Sequence, residues 1–462
     1  MEFSSIVFLL RFLPIFIICY FLAPGRTKNI VLLLGSLCFF AWGEPFYVVL
    51  MLISTISDYI HALMIEKYRG QKAAKLLLLN ALFIDLSLLY FFAYSDITIS
   101  AINAIAGTRW MKFGFALPVG ITVYTLQTIS YVTDVYFGRV KACRSLFHYA
   151  VYVSMFPQLL AGPIVRYRDI ESALTDRKPD LAKISSGAKR ICIGLGKKVL
   201  FADSAWELWQ AVEKMDHTKL GFGTAWMGML GFAFWMYFGY SGYADIAKGL
   251  GECMGFDFPD NYHHPYASHS VADFWRRWNV TLGAWMREYV LQPMQKSEHF
   301  TNTLMQILVI GSLTGLWYGA DATFLLWGIW MALFLGIEKL FLEKILDAVP
   351  ILIGWFYTMV VVAIGWVLFA MDSLSEALIY LQAMFGGNGN GFFDDHFWYL
   401  WQEYLVLIMV GSLISMPVSA DIIARIKEKR SGFTIALYRL GEKIIPPMLL
   451  ILSLIYIVGR VY

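Results

Sequence analysis

The sequence predicts an all-α polytopic membrane protein, and three observations carry that reading. Of 462 residues, 58% are apolar and only 15% charged, against about 45–50% and about 25% in soluble domains. The apolar residues fall in runs approaching the roughly 20 residues that an α-helical span needs. No connection between them is both long and polar, which leaves no room for a soluble domain. The 16 Trp, 26 Tyr and 35 Phe suit interfacial aromatic belts and wide apolar faces.

The first run, about Phe3–Leu22, closes at Pro24-Gly25-Arg26. It carries Arg11 and has no small-residue cleavage site after a basic start, so it reads as a retained span rather than a signal peptide. Ile30–Trp42 is short for a span. Phe46–Ile65 ends in the basic loop Glu66–Lys75, and Leu76–Tyr94 ends in a polar connection to Trp110. Phe115–Phe137, Ile191–Trp209 and Thr224–Leu250 follow. Leu304–Trp317 and Phe324–Phe341 make a hairpin around a turn holding Tyr318 and Asp321. Ile351–Met371, Leu400–Met416 and Ile444–Val458 complete the series.

Basic residues set the orientation. Arg26/Lys28, Lys67/Arg69/Lys72/Lys75 and Arg139/Lys141/Arg144 fall in alternate loops, which puts those loops in the cytoplasm and the N-terminus outside. The region 166–198 is also basic, with Arg177, Lys178, Lys183, Lys189, Arg190, Lys197 and Lys198. Two successive basic regions belong on one side, so Tyr149–Val165 between them should not cross. It holds Pro157, Gly162 and Pro163, which break helices. FPQLLAGPIVR therefore reads as a re-entrant segment, with a kinked span as the alternative; at membrane depth its backbone needs protein or a cavity to satisfy it. The same rule places Gly251–Thr303 inside, the glycine-rich acidic loop Gly386–Trp398 outside and the basic loop Arg425–Lys443 inside.

A net charge of +3, with its basic residues in short loops, argues against a nucleic-acid partner. Five scattered cysteines, without a CxxC or CxxH spacing, support neither a disulfide framework nor a zinc site. Among eight histidines, His263, His264 and His269 cluster, but with no carboxylate at ligand spacing; His299 stands apart. No GxSxG, HExxH or phosphate-loop motif occurs, so serine-hydrolase chemistry is unsupported.

Charge within apolar sequence is a functional hypothesis by default. Asp245 and Lys248 lie three apart in an apolar run, where they form an intrahelical pair or Asp245 lines a polar tunnel. Arg276, Arg277, Trp278, Trp285 and Arg287 crowd Phe274–Pro293. They form either an amphipathic interfacial helix with aromatic anchors or an anion cradle for a phosphorylated or thioester donor, since Arg binds phosphate in bidentate fashion.

FWRRWNVTLGAWMREYVLQP (274–293) followed by SLTGLWYGADATFLLWG (312–328) resembles the membrane-bound O-acyltransferase family, in its bacterial alginate O-acetylation and teichoic acid D-alanyl transfer branch. FFAWGEPFYVVL (39–50), LPVGITVYTLQTISYVTDVYFG (117–138), FPQLLAGPIVRYRDI (156–170) and YSGYADIAKGLGECMGFDFPDNYHHPY (240–266) agree in order along the chain. The resemblance implies a multi-helix membrane core with re-entrant segments around a central funnel. Residues 1–462 would then be one transmembrane domain, with N-terminal spans over 1–137, a motif-bearing core over 138–345 and C-terminal spans over 346–462. It implies transfer of an acyl group, acetyl above all, from a cytoplasmic thioester such as acetyl-CoA to a hydroxyl of an extracellular polysaccharide or cell-envelope acceptor. No bound cofactor is implied. The setting is the lipid of a bacterial plasma membrane, beside a secreted or membrane-anchored partner acyltransferase.

The family pattern places histidines in W-R-R-W-H and G-L-W-H-G-A, where this chain has Asn279 and Tyr318. An imidazole near pKa 6.5 serves as a general base on a hydroxyl, and a phenol near pKa 10 serves poorly. The expectation is an acyltransferase site built on Tyr318, Asn279 and Asp321, with Arg276, Arg277, Trp278, Trp317, Asp245 and Arg287 binding donor or lining the funnel. The alternative is a non-catalytic homologue acting as membrane scaffold or conduit.

Overall fold

The computed structural model describes residues 1–43, 45–160, 162–177, 180–296, 302–417 and 432–460. The described residues form helices and loops without a strand. Among them, Pro45–Lys67, Lys72–Ala106, Ala322–Ala348, Ile351–Ala370, Asp395–Ser415 and Tyr438–Gly459 are long and apolar enough to cross a membrane. The chain is an all-α, multi-pass membrane protein, as its composition predicts. Lys178, His299 and residues 425–431 of the expected loop Arg425–Lys443 lie outside the described residues; the rest of that stretch is the start of the helix Gly432–Gly459 and not a loop.

The chain divides into two compact units, Met1–Ile191 with Tyr243–Pro259 and Cys192–Gly242 with Asp260–Tyr462. In the first, α1 (Leu13–Leu22), α2 (Lys28–Ala41), α3 (Pro45–Lys67), α4 (Lys72–Ala106) and α5 (Ile121–Tyr136) pack in sequence. Helix α4 runs 35 residues, so most of the connection expected up to Trp110 is helix. Its polar residues do not break it, because Ser95, Thr98 and Ser100 donate their hydroxyls back to carbonyls four residues earlier.

The segment expected to be re-entrant breaks into α6 (Leu146–Ser154) and α7 (Phe156–Leu159), followed by extended chain. At about 1.5 Å per residue neither helix crosses a bilayer. Side chains satisfy the backbone freed at the break. Phe156 N donates to Ser36 Oγ (3.2 Å), Gln158 Nε2 to the Tyr152 carbonyl (2.6 Å) and Tyr152 Oη to the Val165 carbonyl (3.0 Å). The Phe156 ring seats the segment against Phe12, Phe16 and Phe39, with centroids 5.1–5.4 Å away. Tyr167–Thr175 forms α8.

Helix α9 (Leu181–Gly196), a π-turn at Lys197–Ala202 and α10 (Asp203–Glu213) follow one another without a break, and the helix begins ten residues before the expected Ile191. Helix α11 (Phe222–Met254) contributes residues up to Gly242 to the second unit and the rest to the first.

In the second unit, α12 (Val271–Arg277), α13 (Val280–Met286) and α14 (Gln292–Gln295) replace the single helix that the arginine-rich stretch suggests. The hairpin is present as α15 (Thr303–Tyr318) and α16 (Ala322–Ile337), continuing into α17 (Glu343–Ala348). Then come α18 (Ile351–Ala370), the unforeseen α19 (Leu374–Met384), α20 (Asp395–Ser415) and α21 (Gly432–Gly459).

Helices α15 and α16 touch through glycine. A Cβ on Gly315 would stand 2.3 Å from the Phe324 carbonyl oxygen, and one on Gly328 would stand 2.2 Å from that of Gly311. Small residues permit such backbone approach within membranes. Gly328→Val should force the hairpin apart and cost about 1–3 kcal/mol. A lowered thermal midpoint of the purified protein in detergent checks this, with Gly25→Ala, where an added Cβ meets nothing within 4 Å, as the neutral control.

Candidate active site

The site begins with the N-terminus of α12. The first N–H groups of a helix lack intrahelical partners. Here Glu338, following α16, fills that role: its carboxylate accepts from Val271 N (2.6 Å) and Ala272 N (2.9 Å). Ser270 Oγ accepts from Asp273 N at 2.9 Å, so the start of α12 is capped by its own residue and by a carboxylate 66 or more positions away. Sequence reasoning did not single out Glu338; the signal that marks it is a carboxylate within the apolar run Phe324–Phe341.

Helix α12 ends at a corner. Trp278 leaves the helix extended, and Asn279 takes φ 44°, ψ 56°, in the left-handed region. Asn is one of the few non-glycine residues that adopt this region readily. Asn261 holds the corner: its carbonyl accepts from Val280 N (3.0 Å), and its side-chain Oδ1 accepts from Thr281 N (3.0 Å) and Thr281 Oγ1 (2.8 Å).

The corner aims two donors at one atom. Trp278 Nε1 and Asn279 Nδ2 each donate to Tyr318 Oη at 3.0 Å. Tyr318 ends α15, and its ring sits in an aromatic box of Trp317 (4.9 Å between centroids), Trp327 (5.2 Å), Phe369 (5.7 Å) and Tyr240 (6.2 Å). Both hydroxyl lone pairs are engaged, which leaves the Tyr318 proton to donate outward. Nearby, burial holds the Tyr262 phenol well above its ordinary value, with Tyr318 and Tyr240 adding to the effect, so Tyr262 is a neutral wall.

Of the residues predicted for the site, Tyr318, Asn279, Trp278 and Trp317 come together, and the others stand elsewhere. Asp321 is exposed as the residue before α16; its carbonyl accepts from Phe324 N, and its carboxylate makes no hydrogen bond among the described residues. Arg276 and Arg277 turn to Asp273, at 3.5 and 3.0 Å. Asp245 lies in the first unit and pairs with Arg190 of α9 at 3.0 Å. Arg287 is exposed on the wall of a cavity of about 290 Å³ among α12, α13, α15 and α16. Arg276, Trp275, Gln306 and Thr314 line the same cavity. Trp275 also lies 5.7 Å from Trp327, the ring against which Tyr318 packs. Its indole N–H is buried without a hydrogen-bond partner, as is that of Trp317.

Fold and site together define a helical multi-pass membrane protein with a clamped hydroxyl at the end of a hairpin. The profile of the membrane-bound O-acyltransferase family matches residues 140–379, just over half of the chain. The chain is 36% identical over 395 residues to the probable alginate O-acetylase AlgI of Azotobacter vinelandii, covering 83% of this chain and 78% of that protein. It is 31% identical over 427 residues to the peptidoglycan O-acetyltransferase of Helicobacter pylori, covering 84% and 80%. It is 26% identical over 229 residues to the teichoic acid D-alanyltransferase of Bacillus subtilis, covering 46% and 57%. The chain belongs to the membrane-bound O-acyltransferase family and is an O-acyltransferase.

Glu338→Ala strips both acceptors from the start of α12. It should destabilise the protein by about 1–3 kcal/mol for each buried N–H left unmet, seen as a lower thermal midpoint. Glu338→Gln keeps one acceptor oxygen and should recover part of the loss.

Proposed function

We propose that this protein moves an acyl group, acetyl in the first instance, from a cytoplasmic thioester such as acetyl-CoA to a hydroxyl of an extracellular polysaccharide or related cell-envelope acceptor. It does so in a bacterial plasma membrane, beside a secreted or membrane-anchored partner acyltransferase. The relatives named for alginate and peptidoglycan O-acetylation support the acceptor class, and the names themselves specify acetyl.

The single observation that carries the chemistry is the pair of donors on Tyr318 Oη. A phenol so held is a poor base and a well-aimed donor. In this reading its O–H donates to the thioester carbonyl oxygen and stabilises the charge that grows there in the tetrahedral intermediate. The acceptor oxygen bonds to the acyl carbon and the carbon–sulfur bond breaks. The acceptor's proton ends on the departing thiolate, giving ester and free thiol. Trp278 and Asn279 are the groups that fix the phenol's direction.

The cavity of about 290 Å³ suits the acyl end and adjoining arm of the donor, its walls apolar apart from Arg276, Arg287, Gln295, Thr303, Gln306 and Thr314. Arg287 and Arg276 at its wall supply planar donors for a phosphate.

Acylation from labelled acetyl thioester, with the genomic partners present, tests the assignment. Tyr318→Phe keeps the ring and should lower kcat about 10²–10³-fold, the effect of losing one oxyanion donor. Asn279→Ala should cost about tenfold, close to the effect of one hydrogen bond. Asp321→Asn separates a carboxylate base from this scheme, since full rate in that variant removes Asp321 from the pathway. Full rate in Tyr318→Phe would favour the scaffold or conduit reading, in which the Tyr318 hydroxyl is dispensable.

A further inference from the structure

The first unit contains a pair of buried acids that acyl transfer does not use. Asp58 on α3 and Asp85 on α4 both lie within membrane-spanning helices, 0% and 3% exposed. Ser54 Oγ is 3.4 Å from Asp58 Oδ2 and 3.4 Å from Asp85 Oδ1, and donates to either. Thr128 on α5 donates to Asp85 Oδ2 at 3.0 Å. Ser54 thus bridges the two carboxyl groups.

Two carboxylates at that range cannot both carry charge, least of all away from water. Among the described residues, no Lys, Arg or His forms an ion pair with either. His61, also on α3, bonds instead to Ser57 and to Asn80. From α5 and α6, the titratable groups that face the pair are Tyr124 and Tyr149, both neutral phenols. The positive charge that the pair requires is therefore not supplied by a side chain.

Three buried atoms point to a small ligand. Asp58 Oδ1 has no hydrogen-bond partner, and neither has the hydroxyl of Tyr124 or of Tyr149. Tyr124 and Tyr149 are 2% and 0% exposed. A cavity of about 20 Å³ is lined by Met51 of α3 and by Tyr124 of α5; about one water fits such a space.

We propose that Asp58 and Asp85 form an intramembrane proton-binding site, in which one exchangeable proton is shared between the two carboxyls. One carboxyl O–H donates to the opposing carboxylate, and release of that proton leaves two facing anions. The packing of α3, α4 and α5 is thereby coupled to proton occupancy.

Infrared difference spectra of the purified protein, recorded across a pH titration, test this directly. Wild type should show a protonated-carboxyl band, sensitive to deuterium exchange, that both Asp58→Asn and Asp85→Asn abolish. Its thermal midpoint should fall as pH rises from about 6 to about 9, because deprotonation leaves the anions facing. In Asp58→Asn the amide mimics the protonated partner, so the midpoint should lose that dependence. If the Asn variants fail to fold, Ser54→Ala keeps both acids and should shift the band's frequency by removing a shared donor. A wild-type spectrum without such a band overturns the proposal. So does a band that persists in both Asn variants, or a stabilisation by sodium ions in place of the pH dependence.

Discussion

Backbone groups inside an apolar environment must find partners in the protein itself, and the rest of this structure depends on how that requirement is met wherever a helix stops. Continuous helices meet it internally. The informative places are the interruptions, each carrying a side chain that stands in for the missing backbone bond. Ser36, Gln158 and Tyr152 do so around the break at Met155. Glu338 does so at the start of α12, and Asn261 at the corner after it.

The functional geometry follows from those fixings. Glu338 holds one end of α12, Asn261 holds the other, and between them the corner residues are set against Tyr318. The glycine contact between α15 and α16 sets Tyr318 from the opposite direction, since any wider separation would move the hydroxyl away from its two donors. A clamp with 3.0 Å bonds from two residues therefore rests on contacts that never touch the hydroxyl.

Much of this was legible in the sequence. Apolar runs located the spans, because length and hydropathy are what a bilayer demands. The helix breakers Pro157, Gly162 and Pro163 located the interruption, and the motif around Tyr318 located the hairpin, whereas the corner at Asn279 falls where a single helix was expected. Less was legible where polar residues stay helical, as at Ser95 and Ser100 in α4. The Arg190 partner of Asp245 was equally hidden: local spacing points only along the same helix to Lys248, and the structure brings Arg190 to 3.0 Å from α9. Three-residue spacing speaks only to neighbours on one helix. The role of Asn279 was half visible: its chemistry excludes proton exchange, but its bond to Tyr318 depends on a left-handed backbone that no apolar pattern announces.

That left-handed residue has an evolutionary reading. The backbone at position 279 screens its occupants by shape before chemistry, rejecting branched side chains and admitting glycine, asparagine, aspartate or histidine. The admitted side chains include an amide, an acid and an imidazole. Exchange among them leaves the scaffold's conformation intact while changing what is presented to residue 318. A lineage could thus trade one chemistry for another at this corner by single substitutions without refolding it, and the histidine of the family pattern is among the side chains that the backbone of Asn279 would admit.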